Sequence, residues 1–174
     1  MSQRGQSCDY YAMIRNASKP VLDNRNGKYG EAALIYALAY CGFPAIDLDV
    51  AERHGSGKGW VCDLPYSGIN ESLPDIHVKT CDLSTQNFLS SRGKSDLYSW
   101  TFQYDITNAG RGRDMLFSNM ESDDLVALMY VPTIDSGDVV LYATAPWKLL
   151  VNKMKEPMSP GYVGQKLCIY SGDL

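Results

Sequence analysis

The 174-residue chain is predicted to fold as an α+β (α/β) domain, with a mixed central β-sheet flanked by helices. Three observations predict it. Residues 28–41 carry an apolar stripe at helical spacing, formed by Leu34, Ile35, Leu38 and Cys41. Ile76, Val78 and Thr80 alternate with Asp75, His77, Lys79 and Cys81, the period of a half-buried strand. Residues 125–131 and 139–144 are apolar runs separated by Asp135-Ser136-Gly137-Asp138, which reads as strand, turn and strand.

In chain order, residues 3–17 place Tyr10, Met13, Ile14 and Ala17 at helical spacing. Ser18-Lys19-Pro20 breaks that helix, and Asp23-Asn24-Arg25-Asn26-Gly27 has turn composition. The helix over 28–41 follows, stopped by Gly42 and Phe43-Pro44. Residues 45–50 alternate as a short strand. The Gly-rich stretch 53–59 lacks the order and spacing of a phosphate-binding loop. Residues 60–66 read as a strand ending at its proline, joined by a turn over 67–74 to the strand over 74–82, so the two are expected to pair as a hairpin.

Residues 84–96 are polar and are expected to be irregular, with Arg92 and Lys94 near the tip. Over 97–104, Tyr98, Trp100, Phe102 and Tyr104 share one strand face, suited to a core or an interface, and Gln103 lies on the other. Residues 105–122 form a long loop holding Gly110-Arg111-Gly112-Arg113. A helix is expected from Pro146, with Trp147, Leu150, Val151 and Met154 as its stripe, and residues 166–170 make a last strand. A single domain over 1–174 is expected, with its core at about 28–144 and a C-terminal helix and strand at 146–170.

Composition narrows the function classes. Hydrophobic residues are 45% and charged residues 21%, ordinary for a globular chain. The net charge of −4 argues against a generic nucleic-acid coat, yet is compatible with an enzyme that concentrates carboxylates in its site. No apolar run reaches membrane-spanning length and no signal peptide opens the chain, so no membrane partner and a cytoplasmic setting are expected. The five cysteines are scattered and never form Cys-x-x-Cys, which suits reduced thiols in that compartment.

The residues that carry chemistry are Glu31, Asp63, the Asp75/His77/Lys79 face and Gln103. Glu31 precedes Leu34, Ile35 and Leu38 by three, four and seven residues and so projects from the apolar stripe. A buried carboxylate needs a partner or a metal. A first-turn glutamate is also favoured by the helix dipole, and the sequence leaves both readings open. Carboxylates converging on a lysine suit metal-assisted phosphodiester hydrolysis, in which oxygen ligands hold Mg²⁺ and a lysine steadies the transition-state charge. Two other arrangements fail on spacing. His54, Cys62, His77 and Cys81 match no structural zinc pattern. Cys81 and His77 would lie roughly 13 Å apart on an extended strand, too far for a thiol–imidazole pair.

This order of parts resembles the PD-(D/E)XK nuclease superfamily, which includes restriction endonucleases and Holliday-junction resolvases. The resemblance covers about residues 28–144: a helix with Glu31, an Asp63 strand, the His77-Val78-Lys79 strand and the Trp100-Thr101-Phe102-Gln103 strand. It implies a restriction-endonuclease-like fold, with Asp63 as principal metal ligand, Lys79 as catalytic lysine, Glu31 as helix acid and Gln103 as accessory residue. The Val78 carbonyl would be a further ligand to Mg²⁺ or Mn²⁺. DNA is the implied partner, with Arg92, Lys94, Arg111 and Arg113 along its backbone, and a homodimer is a common arrangement in the family. A standalone nuclease of phage type fits the chain's size.

The chain departs from the family at His77, where Asp or Glu is expected two residues before the lysine. Histidine is a poor Mg²⁺ ligand and a good one for Mn²⁺, Fe²⁺ or Zn²⁺. Asp75 lies on the same face, roughly 7 Å away along the strand. Altered metal preference, a migrated carboxylate and a nuclease-like fold that no longer cleaves all remain open, as does a hydrogen-bonded structural role for His77. The alternative functions are an inactive relative that binds nucleic acid or a protein, and an unrelated α+β domain whose polar strand face is solvated.

Overall fold

A computed structural model describes residues 22–44, 63–94, 97–104, 114–118, 120–132 and 138–174. Helices and two β-sheets alternate along it, an α+β arrangement as the sequence predicts. Helix α1 spans Leu22–Tyr40 and strand β1 Ile76–Asp82. Helix α2 covers Leu83–Ser90, β2 Ser99–Gln103, β3 Leu125–Val131 and β4 Val140–Pro146. A single helical turn, α3, follows at Trp147–Leu150, and β5 is Lys166–Tyr170. The first sheet has the order β1-β3-β4, with β1 parallel and β4 antiparallel to β3. The second is the antiparallel pair β2-β5.

Strand β3 is apolar on both sides because both sides are covered. Ala127 and Met129 pack with Ile76 and Val78 of β1 against Leu34 and Ile35 of α1. Val126 and Leu128 pack on the opposite face with Cys81, Trp100, Phe102, Ile169, Trp147 and Leu150. Helix α1, the first sheet and the β2-β5 pair are therefore stacked layers, and each fully buried large side chain adds about 1.5–3 kcal/mol. A polar tie crosses between the sheets. The Trp100 indole N–H donates to the Met129 carbonyl at 2.7 Å, beside the register shift between Leu128 and Met129 in the β3–β4 pair.

Several expectations change. Helix α1 begins at Leu22, so the stretch read as a turn over 23–27 is helical; turn residues and a first helical turn share the same backbone region, and composition does not separate them. Residues 84–96 hold helix α2. Its N-cap is Asp82, whose Oδ1 accepts from the Thr85 amide at 2.9 Å and the Thr85 hydroxyl at 3.0 Å, and its Leu89 is buried beside Cys168 and Tyr170. The strand expected over 60–66 is, in its described part, one antiparallel bridge between Leu64 and Ile76 followed by a 3₁₀ turn at Tyr66–Gly68. The C-terminal helix is one turn continued by a 3₁₀ turn, Val151–Lys153. The aromatic face of β2 is largely core, with Trp100 and Phe102 fully buried, while Tyr104 at its end is exposed. The helix expected over 3–17, the strand over 45–50, residues 60–62 and the Arg111/Arg113 loop lie outside the described residues. Among those described, no helix is long and apolar enough to cross a membrane.

Helix α1 comes close to the sheet at Gly30, where a Cβ would stand 2.5 Å from Thr80 Oγ1; at Gly27 it would meet nothing within 4 Å. Gly30→Ala should lower stability by about 1–3 kcal/mol through overpacking, and Gly27→Ala should not. Chemical denaturation of both variants checks this, and Thr80→Ala should rescue the first. The thiols sort by burial in the same way. Burial pushes Cys81 up to about 11 and raises Cys168 above the usual thiol range, while Cys41 is exposed. At pH 8 a thiol reagent should label Cys41 and should reach Cys81 and Cys168 only on unfolding, as read by peptide mass mapping.

Candidate functional site

Strand β1 presents its alternate residues to different layers. Ile76 and Val78 turn toward α1, whereas Lys79 and Cys81 turn toward the β2-β5 pair, where Lys79 Nζ lies 5.3 Å from the centre of the Phe102 ring. The parallel register sets His77 beside Val126 and Lys79 beside Leu128. Two ionisable groups are thus fixed on a mostly apolar face by strand pairing, and each meets a carboxylate there.

Lys79 Nζ donates to Asp114 Oδ1 at 2.7 Å. The other oxygen of Asp114 accepts from the Gln103 amide at 2.7 Å, and the Asp114 amide donates to the Gln103 carbonyl at 2.9 Å. Asp114 therefore ties the catalytic-lysine candidate to the end of β2. Gln103 enters the site through its backbone, and its side-chain amide donates to the Gln165 carbonyl at 3.2 Å.

Asp63 comes to the same strand from its other edge. Ile76 exchanges both backbone hydrogen bonds with Leu64, and two residues on the Val78 amide donates instead to Asp63 Oδ2 at 2.7 Å. A side-chain carboxylate thus continues the ladder between His77 and Lys79. By the alternation of a strand, the Val78 carbonyl faces that same edge.

His77 is only 7% exposed, and its Nε2 has no hydrogen-bond partner among the described residues. Asp124 Oδ2 lies 3.7 Å from it, an ion-pair distance too long for an ordinary hydrogen bond. Burial holds the imidazole below its ordinary value, opposed by the Asp63 and Asp124 carboxylates and reinforced by the Lys79 ammonium. A buried nitrogen without a partner beside two carboxylates is a donor set that suits Mn²⁺ or Zn²⁺ better than Mg²⁺. Among the described residues, no three His, Cys, Asp or Glu side chains converge closely enough to hold a metal ion by themselves.

The other candidates are placed elsewhere. Glu31 is 8% exposed, and its Oε2 pairs with Lys28 Nζ at 2.7 Å. It belongs to the helix that covers the opposite face of the sheet from Lys79. Asp75 Oδ1 accepts from the Ser67 amide at 2.8 Å and so secures the turn before β1. Arg92 and Lys94 are exposed just after α2, with the Arg92 guanidinium 3.9 Å from the centre of the Phe88 ring. Asp114 and Asp124 are the residues that sequence reasoning missed. Asp124 had one available signal, an acid immediately before an apolar strand, while Asp114 has no local sequence pattern.

Compared with known proteins, the chain matches no family model, no curated protein and no solved structure.

The Asp114 carboxylate makes two charge-assisted bonds in a half-buried setting. Asp114→Ala strands the Lys79 ammonium and the Gln103 amide and should cost about 2–3 kcal/mol. In a Lys79→Met background the same substitution should cost clearly less, and a double-mutant denaturation cycle measures the difference.

Proposed function

We propose that this chain is a metal-dependent endonuclease of the PD-(D/E)XK kind that hydrolyses DNA phosphodiester bonds, with a restriction-endonuclease-like core. The observation that supports this reading best is the docking of Asp63 on the Val78 amide, between His77 and Lys79. The acid, 15 residues from Val78 in the chain, is thereby brought to the strand that carries the imidazole and the ammonium. Asp63 and His77 would hold a divalent ion, with the Val78 carbonyl on the same edge. That ion, Mn²⁺ or Mg²⁺, would polarise a phosphate oxygen and acidify a bound water when present.

The chain's own groups supply the rest. Lys79 is the cation for the charge that develops on the phosphate, and Asp114 with the Gln103 backbone orients it. Asp63 retains one oxygen on Val78 N–H, which fixes the carboxylate's direction. Glu31 and Asp75, held by Lys28 and by the Ser67 turn, receive no catalytic role in this reading. Arg92 and Lys94, with Arg111 and Arg113, would follow the DNA backbone, so binding should weaken steeply with salt. In this reading the setting is intracellular, the nuclease is of phage type, and a homodimer is the assembly.

A second reading has its own support. Lys79 is committed to Asp114, and Glu31 lies across the sheet from it. An inactive nuclease-fold protein that binds DNA or a protein partner would tolerate both.

Supercoiled-plasmid nicking with Mg²⁺ and with Mn²⁺ separates the two. The enzyme reading expects nicking, faster with Mn²⁺, reduced about 10²–10³-fold by Lys79→Ala or Asp63→Ala. Cleavage with neither ion removes that reading, and salt-sensitive DNA binding without cleavage then supports the second.

A further inference from the structure

We propose that His77 Nε2 and the Asp124 carboxylate are a chelating pair for a first-row divalent transition ion, with Asp124 supplying from the entrance of β3 the carboxylate that position 77 lacks. The purpose of such a site rests on the nuclease reading, but its existence does not.

The first argument is the spacing. Every other carboxylate contact at this site closes to 2.7 Å: Asp63 on the Val78 amide, Asp114 on Lys79 and Asp114 on the Gln103 amide. Asp124 alone stands off, at 3.7 Å from His77 Nε2. An imidazole N–H facing a carboxylate would be expected to close to about 2.9 Å. A separation of this size is near the edge of a coordination tetrahedron, about 3.4 Å for bonds of about 2.1 Å.

The second is burial. A side-chain nitrogen more than nine-tenths buried is costly without a hydrogen-bond partner, and this one has none among the described residues and faces a carboxylate. A cation between a nitrogen lone pair and a carboxylate oxygen would satisfy both. The Asp124 side chain is 29% exposed, so the pair opens to solvent on that side and leaves room for water or phosphate oxygens as the remaining ligands.

The third is rigidity. The Asp124 amide donates to Ser122 Oγ at 3.0 Å, and its carbonyl accepts from the Trp147 amide at 2.8 Å. Trp147 is itself fully buried. His77 is fixed by the β1–β3 register. Both ligands are thus held by backbone before any ion arrives, as a binding site requires. The neighbouring Asp123 is paired with Lys148 at 2.6 Å and takes no part.

Mn²⁺ binding by the wild-type chain tests this directly. The sequence has two histidines, His54 and His77. Substoichiometric Mn²⁺ should broaden the His77 ring NMR signals before those of His54, without any mutation. By electron paramagnetic resonance, His77→Gln and Asp124→Asn should each weaken Mn²⁺ binding at least tenfold, and Asp123→Asn should leave it unchanged. His77→Asp, which restores an oxygen donor, should shift preference from Mn²⁺ toward Mg²⁺. Absence of selective His77 broadening overturns the proposal, and so does wild-type Mn²⁺ affinity in folded His77→Gln or Asp124→Asn. Mn²⁺ held by the pair without plasmid nicking keeps the site and removes the nuclease reading.

Discussion

The parallel pairing of β1 with β3 is the constraint on which the rest depends. It sets His77 beside Val126 and Lys79 beside Leu128, and it brings the side chain of Asp124, one residue ahead of β3, within 3.7 Å of the histidine. Side chains alternate with a period of two, so a slip of one residue would turn His77 and Lys79 toward α1 and bury Ile76 and Val78 on the wrong face. The apolar packing on both sides of β3 opposes that slip: Ala127 and Met129 are matched to the helix, Val126 and Leu128 to the second sheet. The polar site is therefore positioned by hydrophobic complementarity elsewhere in the strand.

Placing an imidazole and an ammonium on such a face carries a desolvation cost, and the carboxylates around them offset it. They do so unequally. Lys79 is answered by Asp114 in a short hydrogen-bonded pair that also closes the end of β2. His77 has two acids nearby, and its Nε2 stands 3.7 Å from Asp124 Oδ2, beyond ordinary hydrogen-bond length. The Lys79 half of the site is closed by the protein's own hydrogen bonds, and the His77 half is where a cation is proposed. The proposed cation would offset the charge of the two carboxylates and give the imidazole nitrogen a partner.

The two halves also divide the chemical labour in the nuclease reading. Lys79 with Asp114 and Gln103 is a cationic arm of fixed direction, suited to a phosphate oxygen. Asp63, His77 and Asp124 form the electron-rich arm. The PD-(D/E)XK resemblance led to Asp63 and Lys79 but also to Glu31, which the fold assigns to the far layer with Lys28. A motif read as an order of residues does not say on which side of a sheet its helix lands.

The sequence by itself determined the elements whose patterns are local: the α1 stripe, the period-two strand carrying His77 and Lys79, the strands at 125–131 and 166–170, and the α+β class. These are legible because burial on one face imposes a periodicity on neighbouring residues. Helix α2 escaped because its polar composition hides a capped helix resting on one buried leucine. The partners in the site were decided by tertiary structure alone. Lys79 and Asp114 are 35 residues apart, and Asp63 is 15 from Val78. His77 meets Asp124 only because β1 and β3 lie parallel in one register. No local pattern records such a meeting, because the free energy that enforces it comes from the packing of the layers around the strands and not from the charged residues.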